Sequence, residues 1–125
     1  MAKSVHNDVL DAALNYIKSN ATRLCVCSAE PTTYTQAITT YKLAIKTITS
    51  TDFTGPADGD VSGRKLTVNA QTGLSVDAGG SATHIALCDA ANSKLLYVTT
   101  DTSQVLTLGN TLNTPAWDIE LADPA

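Results

Sequence analysis

Between Leu24 and Leu121 the chain is interrupted every ~8 to 12 residues by turn-forming clusters, which limits it to short strands. Ala29-Glu30-Pro31, Gly55-Pro56, Asp58-Gly59, Ser62-Gly63, Gly79-Gly80, Asn92-Ser93 and Gly109-Asn110 are among the breaks. Between them, apolar and β-branched residues alternate with polar ones, often threonine, whose branched Cβ suits a pleated surface. A parallel α/β fold needs a helix between successive strands, and only one good helical pattern exists. The expected fold is therefore mainly β, an antiparallel β-sandwich or barrel with one N-terminal amphipathic α-helix.

That helix is predicted over residues 5–19. Val5, Val9, Leu10, Ala13, Leu14 and Ile17 recur at three- and four-residue spacing and make one apolar stripe. Ser4 or Asn7 serves as the cap, Asp8 and Asp11 suit the positive end of the dipole, and Asn20 is a left-handed stop. Strands are predicted over 23–28, 41–49, 64–70, 73–78, 82–89, 95–100, 104–108 and 116–121. In the second of these, Ile48 slips the alternation, which suggests a bulge. Residues 32–40 hold at most one helical turn, around Tyr34 to Ala37, and residues 51–63 read as a long loop dense in Gly, Pro and Asp. The whole of 1–125 forms a single domain, with its β core at 23–121.

Charge excludes some partners. The formal net charge is −4, which offers no basic footprint for nucleic acid. Through Lys65 there are seven Lys and Arg against six Asp and Glu; beyond it Lys94 stands alone against six carboxylates. That asymmetry suits either a solvated acidic surface or contact between unlike faces of two copies. No apolar run approaches the ~20 residues of a membrane helix, so no membrane partner is expected. Met1-Ala2-Lys3-Ser4 opens a polar stretch rather than a hydrophobic block, so the expectation is synthesis in a cytoplasm without a signal peptide. Cys25, Cys27 and Cys88 fit a reducing compartment: they make no even disulfide framework and read as small apolar packers.

Residues able to do chemistry are present, but no set of them assembles. Asp58-Gly59-Asp60-Val61-Ser62-Gly63 begins like a calcium loop, yet the twelfth position is Asn69 rather than a bidentate Glu. Cys88 and His84 lie four apart on one strand, ~13 Å, too far for one zinc ion. Ser81 and His84 lack a nucleophile-elbow signature, and Asp118 with Glu120 form the wet side of an amphipathic strand. No catalytic, metal or cofactor residue is assigned, and the chain is not expected to be an enzyme. Tyr34, Tyr41, Tyr97 and Trp117 would be the binding set of a glycan adhesin, although Trp117 also suits a core anchor.

The second half of the chain carries a resemblance. Gly80-Ser81-Ala82-Thr83-His84-Ile85-Ala86-Leu87 has the form Gly-x-Ala-x-x-x-Ala-Leu, Leu95-Leu96-Tyr97 makes a hairpin return, and Gly109-Asn110-Thr111-Leu112 precedes the amphipathic Asp118-Ile119-Glu120-Leu121. This pattern, over residues 60–125, resembles small virion proteins of tailed bacteriophages. The resemblance implies a structural subunit present in many copies on the virion, with the major capsid protein or other virion proteins as partners. Capsid decoration (cement) is the preferred place, and the alternative is a neck, tail or fibre accessory module, a host-surface glycan-binding adhesin among them. Cement proteins commonly sit on local threefold axes, so a homo-oligomer, a trimer, is implied. The terminal segments are the expected docking elements: Val5, Val9, Leu10, Ala13 and Ile17 on the helix, and Trp117, Asp118, Glu120 and Asp123 in the segment running to Ala125.

Overall fold

The computed structural model describes residues 4–123. One helix, α1 (Asn7–Asn20), precedes nine strands: β1 (Arg23–Cys27), β2 (Lys42–Thr47), β3 (Phe53–Asp58), β4 (Arg64–Val68), β5 (Gln71–Ser75), β6 (Gly80–Asp89), β7 (Lys94–Leu106), β8 (Thr111–Thr114) and β9 (Trp117–Leu121). They form a four-stranded sheet in the order β2-β1-β6-β7, a three-stranded sheet β3-β4-β9 and a pair β5-β8. Every named pairing is antiparallel. The fold is mainly β and sandwich-like, as the turn spacing predicts.

One core joins the layers. Leu24, Val26, Ile85 and Leu87 from the four-stranded sheet pack with Leu66, Val68 and Ile119 from the three-stranded one, Leu74 and Leu112 from β5-β8, and Leu14 from the helix. Strand alternation dictates the rest: Cys25, Cys27, Ala86 and Cys88 face the other side of the same sheet. A π-helical turn, Gln36–Thr40, covers that side with Ala37, flanked by Tyr34, Ile38 and Tyr41. The helical turn expected at 34–37 thus extends to Thr40, where Gln36 Oε1 accepts from both Thr32 N and Thr32 Oγ1 at 2.8 and 2.9 Å.

Several boundaries differ from the sequence reading. The helix starts at Asn7 because His6 caps it, its Nδ1 accepting from Asp8 N at 3.0 Å, so Val5 lies outside. Asn20 stays helical, and the helix closes through Ala21 N to Ile17 O at 2.8 Å with Ala21 extended rather than left-handed. The bulge in β2 falls at Leu43, the residue skipped between the Val26–Ala44 and Cys27–Lys42 pairs, rather than at Ile48. Its carbonyl is thereby turned outward to accept from Asp77 N and Ala78 N at 2.7 and 3.2 Å. With the Ala44–Val76 bridge, those bonds carry the β2 edge on into residues 76–78, directly after β5.

The stretch 51–63 is not one loop. Buried Phe53 anchors an edge strand that pairs with β4 on both sides of a register shift around Gly55-Pro56, with a 3-10 turn, Ser50–Asp52, before it and residues 59–63 as the turn after it. Residues 104–108 do not start a new strand, because β7 runs unbroken to Leu106. Three of its residues, 101–103, face Thr83 alone, and that irregularity carries the chain past the polar stretch without a turn. The short β8 was absent from the sequence reading, since Thr-Leu-Asn-Thr has only one strongly apolar residue.

The helix is fixed by charge as well as by Leu14. Arg64 of β4 donates from Nε and Nη2 to the two carboxylate oxygens of Asp11 at 2.8 and 3.3 Å, and from Nη1 to Asp58 Oδ1 at 2.7 Å. Lys18 Nζ reaches Gly55 O at 2.9 Å. Arg64→Met keeps the apolar stem and removes the fork. The expected result is faster amide hydrogen exchange along α1 with the sheet amides unchanged. Equal exchange in wild type and variant would show that the helix is held by packing alone.

Candidate functional site

The turn between β3 and β4 is an exposed projection tied to its neighbours by several hydrogen bonds. Val61, at its tip, is 94% exposed. Gly59 N donates to Gly63 O at 3.0 Å across the turn, and Val61 N donates to Glu120 Oε1 of β9 at 3.3 Å. Ser62 Oγ accepts from Asp123 N at 3.3 Å, while Lys65 Nζ holds Asp60 Oδ1 at 2.7 Å and lies 3.7 Å from Asp118 Oδ2. Three distant segments therefore meet here: the helix through Asp11, the turn, and the last strand. Asp58, Asp60, Asp118 and Glu120 cluster here with Arg64 and Lys65, Asp11 joins through Arg64 and Asp123 through its backbone N–H, so an exposed apolar tip stands beside an acidic collar. The Arg64 guanidinium and Lys65 ammonium are both pushed up, first by their hydrogen bonds to Asp11 and Asp60, so the collar's cations stay charged.

The interface residues read from the sequence divide. Glu120 and Asp123 are in this projection, and Asp118 borders it while accepting from Thr67 Oγ1 at 2.8 Å. Val9 is 61% exposed and Ala13 is exposed, forming with Tyr16 an outward ridge of the helix. Val5 is half-buried ahead of the helix. Leu10 and Ile17 are half-buried, and Ile17 packs on the protein's own core, so the single stripe splits into an inner and an outer part. Trp117 stacks on Tyr97 with centroids 5.9 Å apart and packs against the core. Pro124 and Ala125 lie outside the described residues. The sequence reading missed Val61 and Tyr16 as exposed apolar groups; a lone Val in an Asp-Gly turn is the signal that could have found the first.

The other candidate groups are separated. Tyr34 and Tyr41 lie on the thiol side of the four-stranded sheet, while Tyr97 and Trp117 lie toward the main core. Thr83 Oγ1 and His84 Nδ1 share a hydrogen bond of 2.8 Å. Among the described residues no His, Cys, Asp and Glu group has metal-binding geometry. The three cysteines are free and buried. A hydrogen bond to Cys88, reinforced by burial, pushes the Cys25 thiol up, and the same bond holds Cys88 below its ordinary value. Burial pushes Cys27 up to about 12. Its Sγ lies 3.6 Å from Ala37 O, so it is a protonated packing group at neutral pH. No family model, curated protein or solved structure matches the chain.

Proposed function

We propose that this chain is a structural subunit of a tailed-bacteriophage virion, a capsid decoration protein that sits across capsomer junctions and stabilises the head. The observation supporting this reading most directly is the projection at residues 59–63. A pre-organised apolar tip beside a charged collar gives up little conformational entropy on docking, and such pre-organisation is what a small adhesive subunit needs. Its acidic rim suits a basic patch on the capsid protein and would speed encounter at low salt. Each contact can be weak, because many copies on one head add their effects.

The test is addition of purified protein to isolated heads lacking it, viewed by cryo-electron microscopy. Regular density at capsomer junctions, with residues 59–63 and the end of β9 at the contact, is the expected result. Val61→Asp should then lower occupancy by about tenfold, and raised salt should lower it for the wild type. Bare capsomer junctions with density at the neck or tail would reject decoration in favour of an accessory role there.

A further inference from the structure

We infer that the outer edge of β7 is a self-association site at which two copies pair antiparallel, joining their four-stranded sheets into one of eight strands. A sheet edge exposes a row of backbone donors and acceptors, and the chemistry that satisfies it is another extended backbone. β7 is 13 residues long and pairs with β6 alone. Among the described residues, none of its backbone groups bonds to any other element.

The remaining edges are blocked or blunted. β2 is covered by residues 76–78, directly after β5, through the Ala44–Val76 bridge and the two bonds to Leu43 O. β3 is short and carries Pro56, β8 has four residues, and β9 has five with Asp118 and Glu120 exposed along it. Proline, shortness and charge keep edges from pairing. β7 has no proline, and of its charged residues Lys94 is the first and Asp101 falls in the irregular stretch 101–103. Between its two irregularities Tyr97, Val98, Thr99 and Thr100 run in register with β6, which makes this stretch the straightest part of the edge.

The geometry favours a second copy of the chain as the occupant. Pairing about a twofold axis normal to the sheet satisfies both edges at once. Because the four-stranded sheet has one such edge, growth stops at two, in place of the trimer implied by the resemblance. The area bounds the strength. A strand of this length presents a strip of at most about 40 Å, and a sheet occupies roughly 10 Å of thickness, or at most about 400 Å² per copy. A standard interface takes about 800 Å² per partner, so the pair is weak and reversible.

Sedimentation velocity across a micromolar concentration series provides the test, with Thr100→Lys as the variant. Thr100 is exposed, so the lysine leaves the core alone while adding a long charged side chain to the edge that pairs. The expected result is a concentration-dependent monomer–dimer equilibrium that Thr100→Lys weakens by about tenfold or more. Hydrogen exchange of the wild type reads the same edge independently of any variant: amides in 97–100 should gain protection as concentration rises. Three results overturn the inference: a wild type that is monomeric throughout, a wild type that is trimeric, or a dimer whose affinity and β7 exchange are indifferent to these changes.

Discussion

Gly63→Ala is expected to destabilise the protein by about 3 kcal/mol or more, the largest effect among the glycine-to-alanine changes. Gly63 has φ +68°, in the left-handed region, and a Cβ built there would run into the backbone carbonyl oxygen of Leu121. Two costs therefore combine. Left-handed backbone alone costs an L-residue about 1–2 kcal/mol. The clash is with backbone rather than with a flexible side chain, so relief requires β9 to move away from β4 at the Arg64–Leu121 pair. Gly73 separates the two contributions, because its φ is +70° and nothing lies within 4 Å of its Cβ position. Gly73→Ala should lose only the conformational part, about 1 kcal/mol. Denaturant unfolding of both variants checks this. A Gly63→Ala midpoint close to that of Gly73→Ala would show that the end of β9 is looser than its contacts indicate. Glu120 of β9 and the backbone N–H of Asp123 just after it hold the turn, so if the proposed function is right Gly63→Ala should also reduce head binding more than its loss of stability explains.

The same region shows what the sequence discloses and what it hides. Alternation made Leu66, Val68 and Ile119 legible as core, and the Gly79-Gly80 and Asn92-Ser93 breaks placed the β6–β7 hairpin correctly. These signals are local, with the period and the turn chemistry inside one window. Phe53–Asp58 was hidden because its strand character comes from pairing across a register shift with β4, while its own residues Gly55-Pro56 read as a break. The Leu43 bulge was hidden for a related reason: its purpose is a pair of bonds to Asp77 and Ala78, 34 and 35 residues away. The helix stripe was read as one surface, although Asp11 rather than Val9 turns inward, drawn by Arg64 on a distant strand. The acidic projection is the sharpest case. Asp58, Asp60, Glu120 and Asp123 are visible as composition, but their convergence on the Val61 turn follows from the β4–β9 register.

Stability should fall steeply in alkali, by roughly 1.4 kcal/mol per pH unit between pH 9 and about 12 for Cys27 alone. The sign follows from the protons. Below the thiol's ordinary value of 9.0, folded and unfolded chains both keep the Cys27 proton, and the group contributes no pH dependence. Above it the unfolded chain releases the proton, while the folded chain, whose thiol is buried, keeps it up to about 12. The unfolded state then binds fewer protons, so rising pH favours unfolding across that window. Cys25 acts in the same direction, because its hydrogen bond to Cys88 and its burial push it up as well. Cys88 acts oppositely, being held low by that bond. Cys27 is therefore the cleanest reporter. Urea unfolding of wild type and Cys27→Ala, in reductant at a series of pH values from 7 to 11, isolates it. The difference between the two should be constant below pH 9 and shrink above it, as the wild type loses what the alanine cannot lose. A difference that stays constant to pH 11 would mean that the thiol ionises in the folded protein, and hence that the turn at residues 36–40 opens to water far more readily than its packing over Cys27 and Ala86 implies.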